Sequence, residues 1–281
     1  MPDVHNPRRL RRLGSALLGA AVLIGSFAFA PPAQAATAPK VAIIVGPTGS
    51  LTSTYIRLAN DVAAAAKAQG ARVSKAYSPN ATPSNVKSAV RNANIVVYFG
   101  HGNGYPNPYT STLSPEKQNG WGLQGPNAYG THADSWSNGT LKYYGEAWIR
   151  NNTRPAPGWV MVYGQTCYAA GSNEGWVGLA SSKVAKKHVA YYSRTPLKTG
   201  ASAFFATNYA DQDELVRRML RHRDWTYGRI FREGDGFHGM DIKASHPFAS
   251  GQVRLSKYRD WYYAFAGRPG KTPRATWKIV S

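Results

Sequence analysis

Four short segments of this chain are dominated by apolar residues: 40–45, 94–99, 159–163 and 201–208. A strand with one face in water alternates apolar and polar positions, whereas an unbroken apolar run suits a strand covered on both faces. Between these runs the apolar residues change to helical spacing. Over 51–69, Ile56, Ala59, Val62, Ala63 and Ala66 share one face and Gly70 supplies the stop. Thr82 followed by Pro83 marks a second helix start, with Val86, Ala89, Val90 and Ala93 on its apolar side. Residues 71–77 read as a short edge strand. Residues 211–232 read as one long helix with acids at its start, where they complement the dipole.

The remaining segments have weaker periods. From 103 to 140 the chain is rich in Gly, Pro, Asn, Ser and aromatics, which predicts a long loop or irregular hairpin. Loops of that length in compact domains usually carry function. Residues 143–149 suit a short element, and Trp261-Tyr-Tyr-Ala-Phe265 suits a last strand within a mixed tail. Strands alternating with helices predict an α/β domain with a mostly parallel central sheet and helices on both faces. In such sheets, ligands meet the edge where the carboxyl ends of the strands emerge.

The first 35 residues fit a secretory signal. Arg8, Arg9, Arg11 and Arg12 precede an apolar stretch over 13–30, and Ala33-Gln34-Ala35 follows as a small-x-small cleavage site. The apolar stretch approaches the length of a membrane anchor, but the cleavage pattern behind it favours removal, and no later segment looks like a span. The expected product is a single domain over 36–281, secreted or associated with a cell wall. Export by the general or the twin-arginine route is left open. The formal charge of the chain is +20; subtracting four Arg and one Asp in the signal leaves 20 − 3 = +17. So basic a surface attracts polyanions, with anionic wall polymers the expected class. No helix-turn-helix, zinc-finger or RNA-binding signature accompanies the charge, so no specific nucleic acid is expected.

The chain has one cysteine, Cys167. Its setting, Val-Met-Val-Tyr-Gly-Gln-Thr-Cys167, places it just past one apolar run. Val-Val-Tyr-Phe-Gly-His101-Gly102 places a histidine just past another. If the two strands are parallel neighbours, both side chains emerge on one rim. A thiol becomes a strong nucleophile when an imidazole takes its proton. Attack on a carbonyl then needs aligned N–H donors for the oxyanion, for which Gly102 and Cys167 offer their amides.

This pattern resembles the caspase-like cysteine peptidases, the superfamily of gingipains, clostripain-type enzymes, legumains, metacaspases and CHAT-domain proteins. The likeness covers about 40–232. It implies a three-layer caspase-like sandwich, His101 as base, Cys167 as nucleophile, Gly102 with Cys167 as oxyanion donors, a peptide or protein substrate, and no cofactor. One departure is Gln165-Thr166 before the cysteine, where many members carry an acid or Ala. Thr48, Gln165, Asp211 and Asp213 are candidates for the substrate pocket; the two acids would suit a basic substrate group, and helix capping is their plainer role.

Other readings stay open. An inactive caspase-like protein that binds anionic wall polymers fits the charge and the aromatic loop residues Tyr105, Tyr109, Trp121, Tyr129 and Trp136. A hydrolase or transferase acting on wall carbohydrate or peptide stems is a third. His238, Asp241 and His246, or His132 with Asp134, are conceivable metal ligands but lack the spacing of a recognised zinc motif, and no metal is expected.

Overall fold

The computed structural model describes residues 38–280 except 129 and 176, so the expected signal, Tyr129 and the last residue lie outside the described residues. In chain order the elements are β1 (Lys40–Val45), α1 (Thr52–Ala68), β2 (Arg72–Tyr77), α2 (Pro83–Val90), β3 (Ile95–Phe99), β4 (Trp121–Gln124), β5 (Leu141–Tyr144), α3 (Glu146–Asn152), β6 (Val160–Gly164), α4 (Ser182–Lys198), β7 (Ala203–Thr207), α5 (Gln212–Arg221), α6 (Tyr227–Arg232), β8 (Ile242–Ser245), β9 (Gln252–Tyr258), β10 (Asp260–Gly267) and α7 (Pro273–Thr276).

Eight strands form one sheet in the order β2-β1-β3-β6-β7-β10-β9-β8. The first five are parallel, and β10, β9 and β8 continue the sheet antiparallel. The four apolar runs are the four neighbouring strands β1, β3, β6 and β7, and all but Lys40 of their residues are buried. Alternate side chains feed two cores. Ala42, Ile44, Val96, Tyr98, Met161, Tyr163 and Phe204 pack with residues of α2, α3 and α4. Val41, Ile43, Val97, Phe99, Val162 and Phe205 pack with residues of α1, α5 and α6. The α/β architecture with a mostly parallel central sheet and helices on both faces is therefore as expected.

Three features differ from the expectation. The hairpin of the 103–140 segment reaches beyond it, because β4 pairs with β5, at Leu141–Tyr144, as a separate two-stranded antiparallel sheet. The single helix over 211–232 is two helices. The first ends at Arg221, and Thr226 starts the second by accepting from the Arg229 amide at 3.2 Å. The mixed tail supplies three strands rather than one. Their pattern is obscured because a charge is buried among them: Arg254, on β9, is 3% exposed and ion-paired with Asp241. Among the described residues no helix is long and apolar enough to cross a membrane.

Candidate active site

The β3–β6 register sets Phe99 opposite Gly164. His101 then lies two positions beyond the end of one strand and Cys167 three beyond its parallel neighbour, on the same carboxyl-end rim. The two strand ends touch through Gly102. A Cβ built on that glycine would lie 2.9 Å from both the amide nitrogen and carbonyl carbon of Cys167, and closer still to its carbonyl oxygen. Only a residue without a side chain permits this approach. The Tyr98 hydroxyl, fully buried, anchors the His101 side of the rim. It accepts from Gly122 N–H at 2.8 Å and shares its proton between the carbonyls of His101 and Gly122, each at 3.1 Å.

The cysteine sits in a bent backbone. Gln165 and Tyr168, either side of it, have φ of 54° and 67°, in the left-handed region that costs non-glycine residues energy. Fixed contacts hold the bend: Gln165 N–H donates to Thr207 O at 3.0 Å, its side-chain amide donates to Asn208 O at 2.7 Å, and the Thr166 hydroxyl donates to Gly164 O at 3.0 Å. Among the described residues neither the Gly102 nor the Cys167 amide donates to an acceptor in another residue.

His101 and Cys167 line one cavity of about 380 Å³ together with Gly102, Asn103, Tyr109, Trp136 and Glu174. His101 Nε2 lies 2.9 Å from Asp134 Oδ2. An ionised Asp134 accepts a hydrogen bond, which puts the ring proton on Nε2 and leaves Nδ1 as the basic atom. The Trp136 ring lies 6.2 Å from the imidazole and stacks on Tyr143 at 5.7 Å. A second cavity of about 640 Å³ shares Asn103 and Trp136 with the first and continues along Glu116, Lys142, Tyr144 and Trp148. No protein-family model matches this chain. No curated protein matches it either.

Asp134 is the site residue that sequence reasoning missed: the pattern offers it only as a conceivable metal ligand with His132 and, more plainly, as a loop residue. The His132 ring instead meets the Ser78 hydroxyl at 3.0 Å. Asp241 is held by Arg254 and His246 Nε2 lies 2.9 Å from the Ser193 hydroxyl, so that trio does not converge on a metal position. Among the described residues no group of three His, Cys, Asp or Glu is arranged to hold a metal ion.

The four pocket candidates do not line the His101–Cys167 cavity. Thr48 is buried at the start of α1, where its amide donates to the Thr52 hydroxyl at 2.8 Å. Gln165 turns to Asn208 as described. Asp211 accepts from the Thr207 hydroxyl at 2.7 Å and from Gly236 N–H at 3.1 Å, so it ties β7 to the segment after α6. Asp213 pairs with Arg217 at 2.9 Å one turn along α5. The acid that does reach the cavity is Glu174, whose carboxylate accepts from the hydroxyls of Tyr109 at 2.8 Å and Tyr168 at 2.9 Å. Of the aromatic loop residues, Tyr109 and Trp136 face the cavity, Trp121 is core, and Tyr105 packs edge-on against Tyr191 at 4.8 Å.

Burial pushes the Cys167 thiol up to about 11, and the Glu174 carboxylate pushes it the same way. Both act by disfavouring the anion. At pH 8 roughly one thiol in a thousand is ionised. Simple alkylation by iodoacetamide should therefore be slow near neutrality and should climb about tenfold per pH unit towards pH 11. Glu174→Gln removes the charge and keeps one acceptor oxygen, enough for one of the two tyrosines, whose hydroxyls donate to separate carboxylate oxygens. Alkylation of that variant at pH 8 should be about three- to tenfold faster than wild type. An equal or slower rate would show that Glu174 does not act on the thiol.

Proposed function

We propose that this chain is an exported cysteine hydrolase, a peptidase of caspase-like arrangement, in which Cys167 attacks a peptide carbonyl and His101 carries the proton. The observation that carries this reading is the shared cavity: the sole thiol and an imidazole with one nitrogen held by a carboxylate face the same space. The raised thiol pKa bears on how the step runs. Cys167 rests as a thiol, so His101 Nδ1 takes its proton as the sulfur–carbon bond forms. The oxyanion then develops beside the Gly102 and Cys167 amides, neither of which donates to another of the described residues. His101 returns the proton to the leaving amine as the carbon–nitrogen bond breaks. Water, losing a proton to His101, hydrolyses the thioester and restores the thiol.

Asp134 holds the ring in the tautomer this cycle needs. The adjoining cavity past Trp136 offers room for a substrate longer than one residue. Glu174 suits a substrate group carrying positive charge. The test is labelling by a peptidyl acyloxymethyl ketone bearing a basic side chain. One adduct per chain is expected, mapped to Cys167 and absent from Cys167→Ala with an unchanged circular-dichroism spectrum. A folded wild-type protein that takes no label would favour a binding module instead.

A further inference from the structure

The positive charge of this protein is unevenly answered. Arg194, Arg217, Arg218, Arg254 and Arg274 each hold a carboxylate. Between Asp61 and Glu116 the sequence has no acid at all, yet it carries five Lys and Arg. Six of the unanswered cations lie at the amino ends of the parallel strands, the end of the sheet opposite the Cys167 rim, while Lys183, Lys186 and Lys187 form a separate acid-free group on α4. A cleft of about 430 Å³ at those strand ends is lined by Lys87, Arg91 and Arg154 with Ser84, Ser88, Asn151 and Asn152. A second, of about 450 Å³, includes Lys198, Arg268 and Lys271. Neither lining contains an acid. Among the described residues none of these six exposed cations has a carboxylate within ion-pair distance.

Helix dipoles explain part of the pattern, since Lys87 and Lys198 lie in the last turns of α2 and α4. They bear on Arg91, the C-cap of α2, and on Arg154, whose guanidinium donates to Thr153 O at 2.7 Å just past α3, but not on Arg268 and Lys271, which lie in the segment between β10 and α7. The connections are bonded to one another. Asn92 N–H donates to Arg154 O at 2.9 Å, and Gly158 N–H donates to Gly200 O at 3.1 Å, so the two clefts border one continuous ledge. The field there is felt by a neighbour: Lys40 donates to Arg91 O at 2.7 Å, and its ammonium is pushed down by burial first and by Arg72 and Arg91 next.

We propose that this ledge binds a linear polyol-phosphate polymer, with Lys87, Arg91 and Arg154 holding phosphate in one cleft and Lys198, Arg268 and Lys271 in the other. Serine hydroxyls and asparagine amides in the first cleft match phosphate oxygens and polyol hydroxyls. Recognition of a single-stranded nucleic acid would need exposed rings for base stacking. The first cleft has none, and Phe248, the one ring in the second, is covered by Tyr191 at 4.8 Å and Arg194 at 5.6 Å. Strands of five residues separate the ledge from the rim by about 15 Å, so a bound polymer leaves the catalytic cavity open. The proposal does not depend on Cys167 being a nucleophile.

The test is titration of the protein with poly(glycerol phosphate) at low salt. The triple variants Lys87→Gln/Arg91→Gln/Arg154→Gln and Lys198→Gln/Arg268→Gln/Lys271→Gln should each weaken binding at least tenfold. Lys183→Gln/Lys186→Gln/Lys187→Gln removes the same charge from the flank of α4 and should weaken it less than threefold. Should a triple variant melt early, Arg91→Gln and Lys271→Gln singly replace it, with about threefold weakening expected of each. Equal weakening by the α4 variant would overturn the site, leaving only diffuse attraction. Oligothymidylate of equal charge binding tenfold tighter than poly(glycerol phosphate) would overturn the ligand.

Discussion

His101→Ala should slow peptidyl labelling of Cys167 by about 10²- to 10⁴-fold at pH 7.5, the range that a positioned proton acceptor contributes. The effect should be large because nothing else in the cavity can take the proton. Among its lining residues Glu174 is the remaining titratable carboxylate, and it is engaged by two tyrosine hydroxyls. With the thiol pushed up to about 11, little thiolate exists to react unaided. Asp134→Asn leaves the imidazole present but loosens its orientation and tautomer, so a smaller loss of about ten- to hundredfold is expected. Plain alkylation at pH 10 supplies the control, since it needs no proton acceptor and should change little in either variant. Loss of both reactions together would point to a collapsed site rather than to a missing base.

Gly102→Ala should damage both stability and labelling. The added methyl would meet the Cys167 backbone, which cannot rotate away as a flexible side chain would. Forcing the two strand ends apart costs about 1–3 kcal/mol, which for a domain of this size lowers the melting temperature by roughly 2–12 °C. Labelling should fall more than tenfold, because the same displacement moves the Gly102 amide away from the forming oxyanion. Gly175→Ala is the matched control: its added carbon would meet nothing within 4 Å and its φ is not left-handed, so neither measurement should move. A Gly102→Ala protein that melts and labels like wild type would show that the rim tolerates separation and that the close approach is incidental.

The parts of the fold that could be read from sequence are those governed by local pattern. β1, β3, β6 and β7 lie in the sheet interior, so they are apolar throughout, and α1 and α2 carry clear apolar stripes with a glycine stop or a threonine cap. α4 left a more mixed trace: Ser181 caps it, but polar residues interrupt its apolar stripe. Its buried side is built from Ala185, His188, Val189, Tyr192, Ser193 and Thr195, and Pro196 lies inside its last turn. The polar members are satisfied by partners remote in sequence: His188 Nδ1 by Gly171 O at 3.0 Å, and Ser193 by the His246 ring. The antiparallel strands were hidden for a similar reason, a buried Arg254–Asp241 pair within them.

For the site, the placement of His101 and Cys167 on one rim followed from two strand ends and parallel pairing. Asp134 did not, since it joins His101 across 33 positions through a loop with no regular period. The pocket candidates Asp211 and Asp213 were judged by charge and by nearness to a strand end. Sequence could not reveal that local partners already hold both, or that Glu174 is turned into the cavity by two tyrosines.

The central claim is that Cys167 forms a bond to an acyl carbon and then releases it to water. Intact-mass spectrometry over time, after mixing the protein with a basic peptide p-nitrophenyl ester at pH 7.5, reads this directly. A rise equal to one acyl group on Cys167 is expected, followed by its decay as the free peptide acid accumulates. A folded protein whose mass never changes, or whose acyl group sits on another residue, would contradict it.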